Sequence, residues 1–260
     1  MLNHLKRTVR NWEREGRWPN VTRLATFVWV QLQNAHDRLH IEKIRRALRT
    51  SSFPKDVGPA VSEVMTGDAG QAIRPMQVQS ELRGLIELVA QRQPRTVLEI
   101  GTARGGTLLL LTRFAAPDAK IVSVDLPFGR NGGGYPRWKA PYYADFPSAD
   151  QTLELIRGDS HAASTLEKVR QAFAGAPVDF ILIDADHSYE GVKADFEAYR
   201  TLAAPDCVIA LHDVLPNEED PSIDVNRFWR ELEQDPDFST EEIVEDPGQG
   251  AYGIGIVRRA

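Results

Sequence analysis

The stretch TVLEIGTARGGT, residues 96–107, decides the fold of this chain. Its first half is a short apolar run of β-forming residues, interrupted by the carboxylate of Glu99. The glycines that follow form a turn in which the backbone can approach a ligand closely, because no Cβ atom interferes. From Thr107 the run TLLLLTRF has helical spacing. The stretch therefore predicts a strand, a glycine turn and a helix N-terminus, whose free N–H groups favour an anionic or polar ligand group.

Two cofactor classes fit this glycine turn. As a dinucleotide fingerprint, Gly101-x-Ala103-x-x-Gly106 is a degraded G-x-G-x-x-G, which alone is a weak signal. As an acid-x-Gly-x-x-x-Gly pattern, Glu99, Gly101 and Gly105 fit the first motif of class I S-adenosylmethionine (SAM) methyltransferases without a substitution. A pyrophosphate needs bare N–H groups, whereas SAM brings an ammonium and a sulfonium, so a carboxylate at the strand end favours SAM. A glycine turn of an ordinary α/β protein is the third interpretation.

The length and composition of the chain set further bounds. Its 260 residues suffice for one large α/β domain or for a domain with an appendage. Cys207 is the single cysteine, which rules out an internal disulfide and suits a reducing cytoplasm. The N-terminus has no apolar h-region, and the apolar stretch near residues 27–30 is far too short to span a bilayer. We therefore predict a soluble, cytoplasmic protein.

Charge separates the chain into two units. Residues 1–50 hold 11 Lys and Arg residues against 4 Asp and Glu, whereas the remainder holds 20 against 33. Residues 51–75 are rich in Gly, Pro, Ser and Asp, which predicts a linker that can fold over the body. We therefore expect a basic helical N-terminal arm with its linker over residues 1–74 and one compact domain over residues 75–260.

Three roles are open for the basic arm. Its helices can pack on the body or on a second subunit, which would make a homo-oligomer, or a basic amphipathic helix with Trp can lie on an anionic membrane surface. Binding of nucleic acid is disfavoured, because the whole chain is acidic and has no nucleic-acid-recognition motif. The predicted apolar positions are Leu5, Val9 and Trp12 in a first helix, Leu24, Val28, Leu32, Ala35 and Leu39 in a second that starts near Thr22, and Ile41, Ile44 and Leu48 in a shifted phase.

Strands and helices alternate after a helix predicted at residues 77–91, which implies a parallel sheet with right-handed crossovers. The fold class we predict is α/β, a doubly wound, mostly parallel, seven-stranded Rossmann-like sheet. The predicted strands are 96–100, 120–125, 153–157, 178–184 and 207–212, followed by a pair near 241–245 and 253–258 that the turn-rich DPGQGAYG joins.

Polar residues follow each of these strands, at the carboxyl edge where an open α/β sheet binds its ligand. Packing alone does not explain such residues at all five positions. They are Glu99 near the end of the first strand, Asp125 after the second, Gly158-Asp159-Ser160 after the third, Asp184, Asp186 and His187 after the fourth, and His212-Asp213 after the fifth.

The chain resembles bacterial class I SAM-dependent methyltransferases of the subgroup that carries D-x-D-H-S-Y-E-G-V after its fourth strand, here residues 184–192. The resemblance covers roughly residues 75–260 and implies the methyltransferase fold and SAM as the cofactor. Related members methylate hydroxyls of sugars and natural products, and some act with polysaccharide synthesis. Further matching motifs are VDLP (124–127), GGGYP (132–136), RGDS (157–160), the HD pair 212–213 and YGIG (252–255).

The expected cofactor contacts follow the strand ends. We expect the methionine part of SAM at the first strand, the ribose on the acid after the second, and the adenine at the third. The predicted cofactor-binding residues are Glu99, Gly101, Thr102, Gly105, Asp125, Asp159, Ser160 and Asp184.

His187 and Asp184 are the predicted catalytic residues. A hydroxyl is a poor nucleophile until a base or a metal lowers its pKa, and an unperturbed imidazole at position 187 suits proton abstraction near neutral pH.

Asp184, His212 and Asp213 are the candidate ligands of a divalent metal, with Asp186 as a substitute. The arrangement resembles the catechol O-methyltransferase type, with His187 in its Lys position and His212 replacing its second Asp; this favours Mn²⁺ or Fe²⁺ over Mg²⁺. The alternative is that His212 and Asp213 only line the pocket beside SAM.

The insertion PFGRNGGGYPRWKAPYYADF, residues 127–146, is the remaining informative stretch. Residues 132–134 are glycines that supply a hinge, and we interpret Tyr135, Trp138 and Tyr142 as a substrate lid whose rings stack on the acceptor. An ordered loop that stabilises a neighbouring subunit is the alternative.

We therefore predict a SAM-dependent O-methyltransferase that acts on a hydroxyl of a small molecule, a sugar or a natural-product glycoside. Two other classes stay open. A nicotinamide-dependent oxidoreductase is favoured only by the degraded fingerprint, and the chain has no Tyr-x-x-x-Lys site in a suitable position. A SAM-binding module without catalysis is disfavoured by the acids and histidines after the fourth and fifth strands.

Overall fold

The computed structural model describes residues 20–127, 134–148 and 150–260, and the side chains of residues 20–31 and 33 lie outside this description. The helices are α1 (Asn20–Arg49), α2 (Val57–Thr66), α3 (Gln79–Arg92), α4 (Gly106–Phe114), α5 (Ala140–Tyr143), α6 (Ala163–Ala172), α7 (Tyr189–Tyr199) and α8 (Val225–Gln234). The strands are β1 (Thr96–Ile100), β2 (Lys120–Asp125), β3 (Thr152–Arg157), β4 (Val178–Ile183), β5 (Ala203–His212), β6 (Phe238–Ile243) and β7 (Ile254–Arg259).

The seven strands form one sheet in the order β3-β2-β1-β4-β5-β7-β6. The first five strands are parallel, and β7 pairs antiparallel with both β5 and β6. The predicted seven-stranded, mostly parallel sheet is therefore confirmed. In the register of the sheet, Ile100 lies beside Val124 and Ile183, so the residues after β1, β2 and β4 emerge at one edge. The strand order reverses between β1 and β4, which is where such sheets bind ligands.

Apolar side chains fill both faces of the sheet. Because side chains alternate along a strand, Val97 joins one core cluster while Leu98 and Ile100 join the other. The first cluster includes the leucine run of α4, and the second includes Phe196 of α7 and Trp229 of α8. The strand β1, which precedes the glycine turn, is thus packed between the two core clusters, and α4, which follows the turn, belongs to the first of them.

Two strands, β5 and β6, differ from the prediction by more than one residue. β5 begins at Ala203 rather than at residue 207, because Pro205 and Asp206 are tolerated next to an irregularity in the register between β4 and β5. β6 occupies residues 238–243 instead of 241–245. Neither change moves the carboxyl ends of β1, β2, β4 and β5.

The prediction of a linker over residues 51–75 is wrong. The segment contains the ten-residue helix α2 and a short 3₁₀ helix, Ala69–Ala72. Pro59 lies in the first turn of α2, where a missing N–H group costs little. Val61 and Val64 are fully buried in the first core cluster, so the Gly and Pro content of this stretch concealed a packed element.

The apolar stripe predicted for the second N-terminal helix is wrong at Leu32, Ala35 and Leu39, whereas the shifted phase predicted at Ile41 and Ile44 is confirmed. In α1 the buried residues include Asp37, Ile41 and Ile44, whereas Leu32 and Leu39 are 65% and 74% exposed. The latter two lie on the opposite face because the apolar pattern changes phase along the helix. The predicted first helix, with Leu5, Val9 and Trp12, falls outside the described residues, as do the side chains of Leu24 and Val28. Within the described part of the chain, no helix is long and apolar enough to cross a membrane.

Candidate active site

The glycine turn packs directly against the end of β4. Gly101 has a φ of +100°, and a Cβ atom there would lie 2.0 Å from the carbonyl oxygen of Asp184. Gly101 donates its N–H to Val124 (2.8 Å), and Asp184 donates its N–H to Ile100 (2.8 Å). Only glycine fits this conformation at this distance. The turn and the residues after β4 therefore form one continuous wall.

Glu99 is fully buried beneath the turn. Its Oε2 accepts a hydrogen bond from Ser123 (2.5 Å), whose hydroxyl also contacts the hydroxyl of Thr102 (2.5 Å). Oε1 of Glu99 has no hydrogen-bond partner among the described residues. Burial, together with the charges of Asp125 and Asp184, raises the pKa of Glu99 to about 8. A buried acceptor with a free oxygen is suited to a cationic ligand group, while the hydroxyl of Thr102 faces Ser123.

Asp125 ends β2 and is almost fully buried. Its Oδ2 accepts a hydrogen bond from the backbone N–H of Tyr135 (2.8 Å). Burial raises the pKa of Asp125 to about 6, and the backbone hydrogen bonds together with Arg157 oppose the rise. Beyond β3, Asp159 is exposed and accepts a hydrogen bond from the N–H of His161 (3.0 Å), and the carbonyl of Ser160 accepts one from Tyr199 (2.9 Å). The cofactor contacts of these residues stay predictions.

Two carboxylates and two imidazoles meet where β4 and β5 end. Nδ1 of His212 lies 3.1 Å from Oδ1 of Asp184 and 3.5 Å from Oδ1 of Asp213. His187 lies between the same carboxylates, with Nε2 3.5 Å from Asp184 and Nδ1 3.2 Å from Asp213. We call Asp184, His187, His212 and Asp213 the acid–histidine cluster. Asp186 accepts the N–H of Ser188 (2.9 Å) at the start of α7 instead.

The cluster stabilises its charged forms. Burial works against ionisation of Asp184, but His212 and His187 hold its pKa below the usual range. Burial likewise disfavours the imidazolium of His212, yet Asp184 and Asp213 raise its pKa well above the usual value. The pKa of His187 is also raised, because its contacts with Asp184 and Asp213 outweigh burial. The unperturbed pKa that the sequence suggested for His187 is therefore wrong for this arrangement.

The donor set of the cluster fits a divalent cation. One ligand atom each from Asp184, His212 and Asp213 lies within 4.8 Å of the others. Both ring nitrogens of His212 are buried without a hydrogen-bond partner among the described residues; its contacts with the carboxylates are ion contacts outside hydrogen-bond direction. Asp213 has a φ of +64°, a left-handed conformation that is uncommon for a non-glycine residue and occurs often at functional sites. Two carboxylates and one imidazole suit Mn²⁺ or Fe²⁺.

Two residues of this site were not predicted from the sequence. Gln77 donates a hydrogen bond from Nε2 to Oδ2 of Asp184 (3.1 Å). The ring of Tyr252 lies 6.1 Å from that of His212, and its backbone has a φ of +66°. Gln77 carries no local signal, since it precedes α3 and reaches the cluster only through the fold. Tyr252 belongs to the YGIG motif, which marked its position but not its role.

Residues 134–146, which we call the covering segment, lie against the glycine turn and the end of β2. The segment contains a 3₁₀ turn, Arg137–Lys139, and α5. Tyr135 is 1% exposed and packs against Tyr143, with ring centroids 4.9 Å apart. The stacking surface predicted for Tyr135 is therefore wrong, because its ring belongs to the core. Trp138 and Tyr142 contact Arg38 and Arg45 of α1, and their lid role stays a prediction; Gly132 and Gly133 of the predicted hinge lie outside the described residues.

Comparison with known proteins agrees with this architecture. Residues 98–214 match the family model described as a methyltransferase domain. This segment of the chain is therefore similar to a methyltransferase domain. The matched range begins within β1 and ends just after Asp213, so the domain includes both the glycine turn and the acid–histidine cluster. The subgroup defined by D-x-D-H-S-Y-E-G-V stays a prediction.

Two solved structures illustrate the fold of this methyltransferase domain. The O-methyltransferase from Bacillus cereus in complex with SAH aligns with a TM-score of 0.56 at 20% identity, over 85% of this chain and 91% of that chain. The O-methyltransferase TomG from Streptomyces achromogenes, involved in tomaymycin synthesis and in complex with SAM, aligns with a TM-score of 0.53 at 20% identity, over 79% and 90%. At this identity the likeness shows the fold, which is confirmed as the predicted Rossmann-like methyltransferase fold. No curated protein matches the sequence.

Proposed function

We propose that the protein is a SAM-dependent O-methyltransferase that acts on a hydroxyl of a small molecule. One observation carries the proposal: the glycine turn touches the residue that begins the acid–histidine cluster, with the Cα of Gly101 packed on the carbonyl of Asp184. A cofactor held by the turn is thereby adjacent to a cluster of groups that can bind and deprotonate an acceptor. The two solved structures of similar fold hold SAH and SAM.

The residues on the cofactor side fit SAM. The free Oε1 of Glu99 is suited to the ammonium group, and the backbone at Gly101 and Gly105 allows close approach. Asp125 ends β2, where a carboxylate can accept hydrogen bonds from ribose hydroxyls. Asp159 and Ser160 are proposed for the adenine side. When bound, SAM supplies an electrophilic methyl group on its sulfonium.

His187 is the proposed general base for the acceptor hydroxyl. Asp213 lies 3.2 Å from Nδ1 of His187, so it can orient the ring and stabilise the imidazolium, and Nε2, 3.5 Å from Asp184, is the nitrogen proposed to take the acceptor proton. Because its pKa is raised, the imidazolium must first release the Nε2 proton to solvent before the ring can act as a base.

Asp184, His212 and Asp213 are the proposed ligands of a divalent ion, with Mn²⁺ or Fe²⁺ favoured over Mg²⁺ by the imidazole. When bound, such an ion would lower the pKa of the acceptor hydroxyl and take up the carboxylate charge that otherwise keeps His187 protonated. Gln77 holds the remaining oxygen of Asp184 and thereby fixes the carboxylate for this role.

The acceptor class follows from the resemblance to enzymes that methylate sugar and natural-product hydroxyls. Nicotinamide binding is disfavoured, because the glycine turn matches the dinucleotide fingerprint only in a degraded form. A SAM-binding module without catalysis is disfavoured as well, because it gives no role to the acid–histidine cluster. Cytoplasmic location and assembly through the exposed Leu32 and Leu39 of α1 remain part of the proposal.

The test is methyl transfer from SAM with a deuterated methyl group to a panel of catechol, methyl glycosides and glycosylated natural products, followed by mass spectrometry. We expect a labelled methyl ether on one acceptor class, and calorimetry should show binding of SAM but not of NAD. Chelation with EDTA should abolish transfer, and Mn²⁺ should restore it. Binding of NAD without SAM would contradict the proposal, and full transfer in the chelated enzyme would remove the metal from it.

A further inference from the structure

Asp37 is a buried carboxylate on α1, in the unit that the sequence separated from the catalytic body. Its side chain is 5% exposed. Oδ1 accepts a hydrogen bond from Nη2 of Arg104 (2.8 Å), and Oδ2 pairs with Nζ of Lys139 (2.7 Å). One carboxylate of the N-terminal helix therefore joins two cations that come from different parts of the body.

Both cations belong to the cofactor side of the site. Arg104 lies in the glycine turn, and its carbonyl accepts a hydrogen bond from Tyr143 of the covering segment (2.5 Å). The Tyr143 ring packs on Gly105, where an added Cβ would lie 2.6 Å from the ring. Lys139 belongs to the covering segment, which also donates the Tyr135 N–H to Asp125. The distance between the turn and the segment is thus set at Asp37.

Further contacts of α1 lie along the same segment. The guanidinium of Arg38 lies 4.9 Å from the ring of Trp138, and Arg45 pairs with Asp145 (2.5 Å). These partners are partly exposed, whereas Asp37 and Lys139 are both buried. A buried ion pair is seldom the most stabilising choice for a core position, so its value lies in fixing geometry.

We propose that Asp37 is a positioning residue of the cofactor site, which holds the glycine turn and the covering segment so that Asp125 is oriented for its ligand. The proposal rests on SAM being the cofactor. Without the carboxylate, Arg104 and Lys139 face each other as like charges, and the segment moves away from Asp125. The N-terminal helix is then a component of the cofactor site rather than a separate arm.

The pH dependence separates this role from a purely structural one. Burial and the nearby Arg104 lower the pKa of Lys139 to about 8, against the attraction of Asp37. The charged groups that face its ammonium are Asp37 from α1 and Arg104 from the turn, and its Nζ also donates to the carbonyl of Ala72 (2.7 Å). Above this pKa the link to Asp37 loses its charge, so its contribution to cofactor affinity should fade.

The experiment measures SAH affinity by calorimetry in wild type, Asp37→Asn and Lys139→Met at about pH 7 and about pH 9.5. We expect Asp37→Asn to weaken SAH binding about tenfold at neutral pH. Lys139→Met should weaken it similarly at neutral pH, and its difference from wild type should shrink towards zero at the higher pH. Comparison at each pH cancels the titration of Glu99 and Asp125, which all variants share.

Lys43→Met is the matched control. Lys43 also makes an ion pair from α1, with Asp68 (2.5 Å), but it is partly exposed and its partner lies outside the covering segment. It should bind SAH within about twofold of wild type. If folded Asp37→Asn binds SAH as tightly as wild type, or if Lys139→Met keeps the same ratio to wild type at both pH values, the proposal is overturned. If wild type itself does not bind SAH, the proposed function fails and this inference fails with it.

Discussion

The carboxyl ends of β1 and β2 and those of β4 and β5 both carry buried acids, yet the two pairs favour opposite charge states. In the first pair, burial raises the pKa of Glu99 to about 8 and that of Asp125 to about 6. In the second pair, the pKa of Asp184 is held low, because two histidines lie beside it. The difference is one of partners, since all of these carboxylates are shielded from water.

This contrast indicates what each half can bind. In the first half burial outweighs the one nearby cation, Arg157, which acts on Asp125, so this half gains from a ligand that brings an ammonium and donating hydroxyls. The second half already contains compensating imidazolium groups, so a divalent ion has to displace protons from His187 and His212. Four experiments test whether the two halves differ in this way, and they follow in decreasing order of the effect that we expect.

Asp213→Asn should have the largest effect, because it removes one charge from the second half only. We expect transfer to the acceptor found in the deuterium-label assay to slow about 1000-fold, as for loss of a group that acts on the acceptor proton and a metal together. Binding of Mn²⁺, followed by electron paramagnetic resonance, should be lost as well. SAM affinity should change little, because Asp213 is not among the proposed contacts of the cofactor.

Glu190→Gln is the matched control for this substitution. It removes one charge from an exposed position three residues after His187, outside the acid–histidine cluster. It should leave both readouts unchanged. Equal losses in the two variants would mean that net charge at this edge matters and the cluster does not.

Glu99→Gln tests the first half through stability. The folded state holds a proton on Glu99 up to about pH 8, whereas the ordinary pKa is 4.5. Because the folded state binds more protons in this window, the free energy of unfolding of wild type falls as pH rises from 4.5 to about 8 and is constant above it. Relative to Glu99→Gln, wild type should lose about 5 kcal/mol across the window, measured by urea denaturation. Parallel pH profiles would contradict the raised pKa.

Asp125→Ala tests the same half through binding. Loss of this carboxylate leaves the Tyr135 N–H and the ribose hydroxyls without an acceptor, which should weaken SAM binding by about 1–3 kcal/mol. Calorimetry measures the change. Asp118→Ala is the control, since this carboxylate lies at the opposite end of β2 and is partly exposed. Unchanged affinity in Asp125→Ala would contradict the ribose assignment, although the end of β2 is where the sequence predicted it.

The fold was largely predictable because its signals are local. The strand ends near Glu99, Asp125 and Asp184 could be predicted because an apolar run stops at a polar residue in each case. The glycine turn showed that a strand precedes it and a helix follows it. The linker at 51–75 was misread because composition suggested a loop, while burial of Val61 and Val64 depends on neighbours distant in sequence. The stripe that includes Leu32 and Leu39 of α1 was misread for the same reason, whereas the shifted phase at Ile41 and Ile44 was predicted correctly.

The site was predictable in its members but not in its contacts. The sequence placed His187 near Asp184, but the pKa of His187 depends on Asp213, which β5 supplies. Gln77 and Asp37 reach the site through segments outside the matched methyltransferase domain, so no motif indicated them. From the sequence alone, a carboxylate in a helix such as that of Asp37 is expected to face solvent, because its partners Arg104 and Lys139 are distant in sequence and contact it only in the folded chain.

Substitution of Tyr252 should have the smallest effect on stability of those considered, and it tests directly whether the acceptor binds beside His212. It holds a φ of +66° between Gly250 and Gly253, both also left-handed, and its carbonyl accepts the N–H of Leu215 (2.9 Å). The buried Glu81 fixes the next residue by accepting the N–H of Gly253 (3.0 Å). Such strain persists where a side chain has a function, and the Tyr252 ring is 38% exposed beside His212. Tyr252→Gly removes both ring and strain, whereas Tyr252→Ala removes the ring alone, so the glycine variant should be more stable by about 1 kcal/mol. Both should lose acceptor turnover about equally while keeping SAM affinity. If turnover is unchanged in both variants, the ring does not face the acceptor, and the second half of the site ends at His212.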